Sequence, residues 1–170
     1  MMERFVIMGV SGCGKSSIGA ALATAVSAQF IDGDDLHPDA NREKMAAGHP
    51  LTDDDRAPWL VRVGQSLRNN TPPIIIGCSA LKRRYRDIIR AEAGGPVQFL
   101  FLTGSREILA ARMAARTGHF MPPSLLQSQL AALEPPMPDE DAITVDIDRS
   151  PAEIVDHLKR SIFARPLRSA

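Results

Sequence analysis

Phe5-Val6-Ile7-Met8 runs directly into Gly9-Val10-Ser11-Gly12-Cys13-Gly14-Lys15-Ser16. The first four residues are apolar and read as a short buried strand, which Gly9 stops. The next eight fit the pattern G-x-x-x-x-G-K-[ST]. Glycines there let the backbone wrap until its N–H groups point inward at phosphate oxygens. Lys15 to Ala28 is Ala-rich, with Ile18, Leu22 and Val26 spaced at four, so a helix follows the loop. The positive N-terminal end of that helix reinforces the anion site. In such a loop Lys15 reaches the β- and γ-phosphates of a nucleotide, and Ser16 sets its hydroxyl on Mg²⁺.

The same alternation continues along the chain. Gln29-Phe30-Ile31 reads as a second strand, ending at Asp32-Gly33-Asp34. From His37 to Pro58 the chain is polar and broken by Pro38, Gly48, Pro50 and Pro58, with one short helix at Asn41–Ala47. Trp59 to Asn69 reads as a helix with Leu60, Val63 and Leu67 on one face. Ile74-Ile75-Ile76 is β-branched and apolar on both sides, as a central parallel strand requires. A helix follows over Leu81–Glu92, then a strand over Val97–Leu102, and helices over Arg106–Arg116 and Pro123–Leu133. Ile143–Ile147 is the last strand. Ser150, Pro151 and Glu153 together start a final helix that runs to Phe163. Short apolar strands alternating with helices specify an α/β fold, a parallel sheet covered on both faces.

The chain has 170 residues, a length that fits one domain. Its 20 basic and 20 acidic residues cancel, which argues against a nucleic-acid or membrane binder. No apolar run reaches the ~18 residues of a membrane span. The six-residue apolar run at the N-terminus is too short for a signal-peptide core and lacks a basic lead-in, so a cytoplasmic address is expected. Cys13 and Cys78 are expected to be free thiols.

A phosphate-binding loop serves GTPases, motors and small-molecule kinases alike. The chain has no Asn-Lys-x-Asp guanine-reading motif, and it is too short for a motor with a transduction domain. The third strand ends in Gly77-Cys78-Ser79 rather than in an acid, so the carboxylate near the metal must come from elsewhere. Asp32 and Asp34 close the second strand, at the carboxyl edge where an open α/β sheet binds ligands. Asp32 is expected to hold Mg²⁺, and Asp34 to accept the proton of a substrate hydroxyl aimed at the γ-phosphate. A solvated acidic turn is the bland alternative.

The segments GVSGCGKSS (9–17), DGDDLHP (32–38), NREKMAAGHPLTDDDRAPWL (41–60), CSALKRRYRDIIR (78–90), RMAARTGHFMPPSLLQSQLAALEPP (112–136) and VDID (145–148) resemble the gluconokinases, ATP-dependent P-loop kinases. The resemblance covers nearly the whole chain, from Phe5 to about Leu158. The P-loop is shared across the superfamily, whereas the other blocks look specific to gluconokinases. The resemblance implies a nucleoside-monophosphate-kinase-like fold with a five-stranded parallel core, a substrate-binding helical segment at about 37–69 and a lid at about 112–137. It also implies phosphorylation of D-gluconate on its 6-hydroxyl by ATP with Mg²⁺, and a homodimer. ATP phosphates would lie against residues 9–17, from Gly9 to Ser17.

Gluconate carries a carboxylate and five hydroxyls, so its pocket needs a cation at one end and mixed donors and acceptors along the rest. His37, Lys44 and Arg56 are the candidates from the 37–60 segment, with Arg56 first for the carboxylate by analogy with relatives. Orienting the turn is an equal reading for His37, and Trp59 reads as packing. Asp53 or Asp54 is expected to cap the helix that carries Arg56. Ser79, Lys82 and Arg86 are further substrate candidates, the last two one helical turn apart. Arg83, Arg84 and Arg90 read as a solvated basic face. Arg112 and Arg116 share a helix face and are expected to clamp the transferring phosphate, and Gly118, Pro122 and Pro123 to mark turns of the lid. A kinase of shikimate or of a nucleoside monophosphate is the alternative enzyme. A regulatory ATP-binding module without turnover is the alternative class, and intact Lys15, Ser16 and Asp34 argue against it.

Overall fold

The computed structural model describes residues 3–116 and 123–165. Five strands form one parallel sheet in the order β2-β3-β1-β4-β5: β1 (Arg4–Met8), β2 (Gln29–Asp32), β3 (Ile74–Gly77), β4 (Gln98–Thr103) and β5 (Ile143–Asp146). Side-chain chemistry accounts for the order. The three strands with unbroken apolar runs, β3 (Ile74–Ile76), β1 (Phe5–Met8) and β4 (Phe99–Leu102), take the centre and are almost wholly buried. The edges go to β2, whose residues are half-buried or exposed, and to β5, which alternates buried and exposed residues.

Among the described residues six α-helices lie between the strands and a seventh follows β5: α1 (Lys15–Val26), α2 (Asp39–Ala46), α3 (Asp53–Asn69), α4 (Arg83–Glu92), α5 (Arg106–Ala114), α6 (Pro123–Ala132) and α7 (Pro151–Ala164). On one face of the sheet α1 packs against α7, and on the other α3 packs against α4. The stripe Trp59, Leu60, Val63, Gly64 and Leu67 buries α3. No helix among the described residues is long and apolar enough to cross a membrane.

The final helix starts as expected, with the Ser150 hydroxyl accepting from the Glu153 N–H while Glu153 accepts from the Ser150 N–H. Three helix starts differ from the sequence reading, α2 beginning at Asp39 rather than Asn41. α5 ends at Ala114, so Arg116 lies beyond the helix and does not share a helix face with Arg112. α3 begins at Asp53, six residues before Trp59, because Thr52 and Asp55 form a reciprocal capping box upstream of Pro58. Pro58 then removes one intrahelical hydrogen bond without ending the helix. Capping therefore falls to Thr52 and Asp55, not to Asp53 or Asp54.

α4 begins at Arg83 rather than Leu81. Ala80 has φ +44° and Lys82 is extended, so residues 78–82 form an irregular loop at the carboxyl edge of the sheet. Of the expected lid, Gly118 and Pro122 lie outside the described residues, and Pro123 opens α6.

Candidate active site

Register brings the important loops together. Asp32 lies level with Gly77 in the β2–β3 pairing. The Cys78 N–H donates to the Ile7 carbonyl (3.0 Å) and the Gly9 N–H to the Ser79 carbonyl (3.3 Å). The phosphate loop, the 32–36 turn and the 78–82 loop thus meet at one edge, where the strand order changes direction.

Within the phosphate loop Gly12 (φ +84°) and Gly14 (φ +96°) adopt left-handed backbone, and Gly14 is the N-cap of α1. Val10 and Cys13 turn their side chains into the core, so those two positions offer a ligand no side chain. The Lys15 ammonium donates to the carbonyls of Gly9 (2.9 Å) and Val10 (3.1 Å). The Ser16 hydroxyl donates to Asp32 Oδ2 at 2.9 Å, while Asp32 Oδ1 accepts from the Asp34 N–H at 3.0 Å. A hydroxyl and a carboxylate beside a phosphate loop are hard oxygen donors. That set suits Mg²⁺, which takes one or two protein oxygens and completes its shell with phosphate and water.

Asp34 is exposed at the mouth of the site, but protein crowds its other sides. Its carboxyl is raised above the ordinary 3.8, first by this partial burial and then by the neighbouring Asp32 charge; Lys15 and Arg116 pull it back. Two cations expected near the phosphates therefore act on Asp34. Arg112 donates to the Ile147 carbonyl (2.6 Å), at the end of β5, and its guanidinium lies beside Gly14 of the phosphate loop.

The turn that carries Asp34 is held from below. Gly33 sits against the Gly77 carbonyl, where a Cβ would collide. The Trp59 indole N–H donates to the Gly33 carbonyl (2.7 Å), and the His37 ring stacks on Trp59 with centroids 4.0 Å apart. His37 is 6% exposed, and its Nδ1 lies 3.2 Å from the Asn41 amide nitrogen. That nitrogen donates, so Nδ1 accepts and the ring is neutral. Burial, then Arg42 and Arg56, push the His37 pKa down to about 4. Of the two readings of His37, this geometry is that of turn orientation.

A second polar cluster stands on the far side. The Tyr85 ring is buried, and its hydroxyl donates to Asp53 Oδ1. Lys82 reaches the same carboxylate at 3.2 Å, and Arg84 pairs with it as well. Arg56 donates to the Tyr85 oxygen (3.3 Å) and to the Leu51 carbonyl (2.9 Å), and its guanidinium lies 5.6 Å from the ring centre. Arg56 and Lys82 are thus brought together, but by an intermediary that sequence reasoning missed. Tyr85 follows Lys82 by three residues in the CSALKRRYRD block, which was the available signal.

Other candidates sit elsewhere. Arg86 is wholly buried and forks onto Glu140, at 2.7 Å from Nε and 2.9 Å from Nη2, and also donates to the Ala80 carbonyl (2.9 Å). The expectation that it meets substrate beside Lys82 is corrected: Lys82 precedes the helix, so the two do not share a helix face. Lys44 pairs with Asp55 at 2.6 Å, where it supports the start of α3. Ser79 is half-buried in the 78–82 loop. The basic face is not free either, since Arg83 pairs with Asp139, and Arg90 pairs with Glu140 and packs over Phe99. Burial pushes the Cys78 thiol up to about 12, so it is no nucleophile.

Comparison with known proteins adds to this geometry. A family model described as an AAA domain matches residues 5–136. The thermosensitive gluconokinase of Escherichia coli K12 is 48% identical over 167 residues, covering 95% of this chain and 88% of that protein. The gluconokinase of Gluconobacter oxydans is 46% identical over 162 residues, covering 94% and 90%. The crystal structure of a gluconokinase from Sinorhizobium meliloti superposes with a TM-score of 0.85 at 49% identity, covering 94% of this chain and 95% of the other.

Proposed function

The chain belongs to the gluconokinase family, and from that premise we propose that it transfers the γ-phosphoryl group of ATP to the 6-hydroxyl of D-gluconate, yielding 6-phospho-D-gluconate and ADP. The supporting observation is the meeting of Lys15, the Ser16–Asp32 pair and Asp34 at one sheet edge, with a cationic cluster across from them.

Each residue then has a task. The backbone N–H groups of the 9–17 loop not already engaged within the protein, as those of Gly9, Ser11 and Cys13 are, bind the ATP phosphates together with the Lys15 ammonium. Ser16 and Asp32 are the residues that would hold Mg²⁺; when bound, the ion neutralises phosphate charge. Asp34 takes the proton of the gluconate 6-hydroxyl. The O6–phosphorus bond forms as the bond from the γ-phosphorus to the β–γ bridging oxygen breaks, and ADP departs. A raised carboxyl pKa makes Asp34 a better proton acceptor than an ordinary aspartate. Arg116 and Arg112 balance the charge spreading over the transferring group. Arg56 and Lys82, arrayed around Tyr85, meet the gluconate carboxylate, and Ser79 contributes a hydroxyl to the sugar chain. Residues 37–69 form the substrate-binding segment and the region about 112–137 the lid. A cytoplasmic homodimer completes the reading.

A coupled ADP-release assay with Mg-ATP tests it, comparing D-gluconate, shikimate, AMP and no acceptor. ADP release is expected with gluconate alone, and K15A is expected to abolish it. Release with shikimate or AMP instead would remove the substrate assignment. Tight ATP binding with no release for any acceptor would favour a regulatory module.

A further inference from the structure

α6 touches both halves of the site. At one point the Gln129 side-chain oxygen accepts from the Ser11 N–H, inside the phosphate loop, at 2.7 Å. A backbone N–H can only donate, so the group that faces it is the carbonyl oxygen of the amide. Just past the helix end, Glu134 makes two bonds to the other loop. Its N–H donates to the Leu81 carbonyl (2.8 Å), and its Oε1 accepts from the Arg83 N–H (2.9 Å).

That second bond has a clear physical purpose. Arg83 is the first residue of α4, and Lys82 at the N-cap provides no side-chain cap. An N–H there has no partner within its own helix. Glu134 supplies the missing acceptor from 51 residues away. Its two bonds bracket Lys82, whose ammonium reaches Asp53. Buried Leu126 and half-buried Leu130 root the body of α6 in the core. Gln129 and Glu134 lie five residues apart, joined by the last turn of α6, which the Leu133 N–H extends by donating to the Gln129 carbonyl (2.9 Å). A shift of the phosphate loop at Ser11 is thereby passed to the 81–83 segment over a short, hydrogen-bonded connection.

We propose that α6 and the turn after it form a positioning strut: Gln129 on the phosphate loop and Glu134 on the 81–83 segment make occupancy of the ATP site tighten the gluconate site. This rests on the ATP and gluconate reading above. Gln129 and Glu134 act through the loops they hold and are positioning residues. Coupling of this kind is reciprocal, so gluconate tightens nucleotide binding by the same factor.

The test titrates gluconate into the full chain, alone and saturated with Mg-AMP-PNP. Wild-type protein is expected to bind gluconate about fivefold tighter or more with the analogue present, the lower end of usual coupling. Q129M keeps the side-chain length but removes the acceptor, and E134A removes the cap. Both are expected to reduce the factor to less than about twofold while leaving each ligand's affinity alone nearly unchanged. E134Q retains an acceptor oxygen and is expected to restore coupling. Thermal unfolding checks that each variant folds, and if one does not, the other decides. Wild-type coupling retained in both variants, or absent from the wild type, overturns the strut. Wild-type protein that releases no ADP with gluconate overturns the substrate reading itself, whereas ADP release with unaltered coupling overturns the strut alone.

Discussion

Asp34 has a cost that its neighbours expose. It sits beside Asp32 and is partly withdrawn from water, so the folded protein holds its proton more tightly than the unfolded chain does. Ionising Asp34 as pH rises through that raised value therefore lowers stability, the reverse of the usual carboxylate case. D34N is expected to lower kcat about 10²- to 10⁴-fold, the usual worth of a general base. It is also expected to leave the unfolding midpoint unchanged or raised, because it removes a charge crowded by another of the same sign. Parallel kinetics and thermal melts check both; a D34N enzyme with normal kcat removes the proton-acceptor role. At this scale much was legible. Asp34 could be singled out because a phosphate loop, a missing acid after the third strand and an Asp-x-Asp at the next sheet edge leave few alternatives. Asp53 could not, and Tyr85 only through its place in the CSALKRRYRD block, since their pairing joins α3 to α4 across 32 residues.

The Arg86–Glu140–Arg90 network governs how α4 is fixed. Glu140 accepts from Arg86 and Arg90, and also from the Met137 N–H at 2.8 Å. Burial opposes the Glu140 charge, but these hydrogen bonds outweigh it and hold the carboxyl down to about 2. E140A is expected to cost about 3–5 kcal/mol in urea unfolding, because it strands the buried Arg86 charge. Replacing Arg86 and Glu140 together with apolar residues of similar volume is expected to recover much of that loss. A loss below about 1 kcal/mol for E140A would mean that water reaches Arg86. Secondary structure predicted Arg86 on the same face as Lys82. The error came from the helix start, since Ala80 at positive φ delays α4 until Arg83. Periodicity counts residues correctly only once a helix has begun. Glu134, the acceptor at that start, is remote in sequence.

For the whole molecule, acid stability combines several groups with the signs worked out separately. His37 is neutral in the fold, with its pKa lowered from 6.5 to about 4. Its contribution is complete above 6.5 and is lost as pH falls from 6.5 toward 4, amounting to about 3 kcal/mol at most. Glu140 contributes above 4.5 and loses its share as pH falls through about 2. Asp55, held down to about 2 by Lys44 and Thr52, behaves in the same way from 3.8. Unfolding free energy measured against pH should therefore fall in two stages, the first between pH 6.5 and 4. H37N is expected to flatten that first stage, and an unaltered slope would show that His37 protonates without disturbing the Trp59 stack. The α/β class, the place of the phosphate loop and the order of elements were all readable from local patterns, because strand apolarity, helix periodicity and glycine spacing act over a few residues. The ranking of the strands from core to edge was readable in part, since chemistry separates Ile74-Ile75-Ile76 from Ile143-Thr144-Val145-Asp146. The withdrawal of Arg86 from the surface was not. Arg56, Lys82 and Arg86 are all cations, and only the packing of α3, α4 and the 137–140 turn gathers the first two around Tyr85 and buries the third against Glu140. Charges of one kind are told apart by burial and by partner, and both are properties of the folded chain.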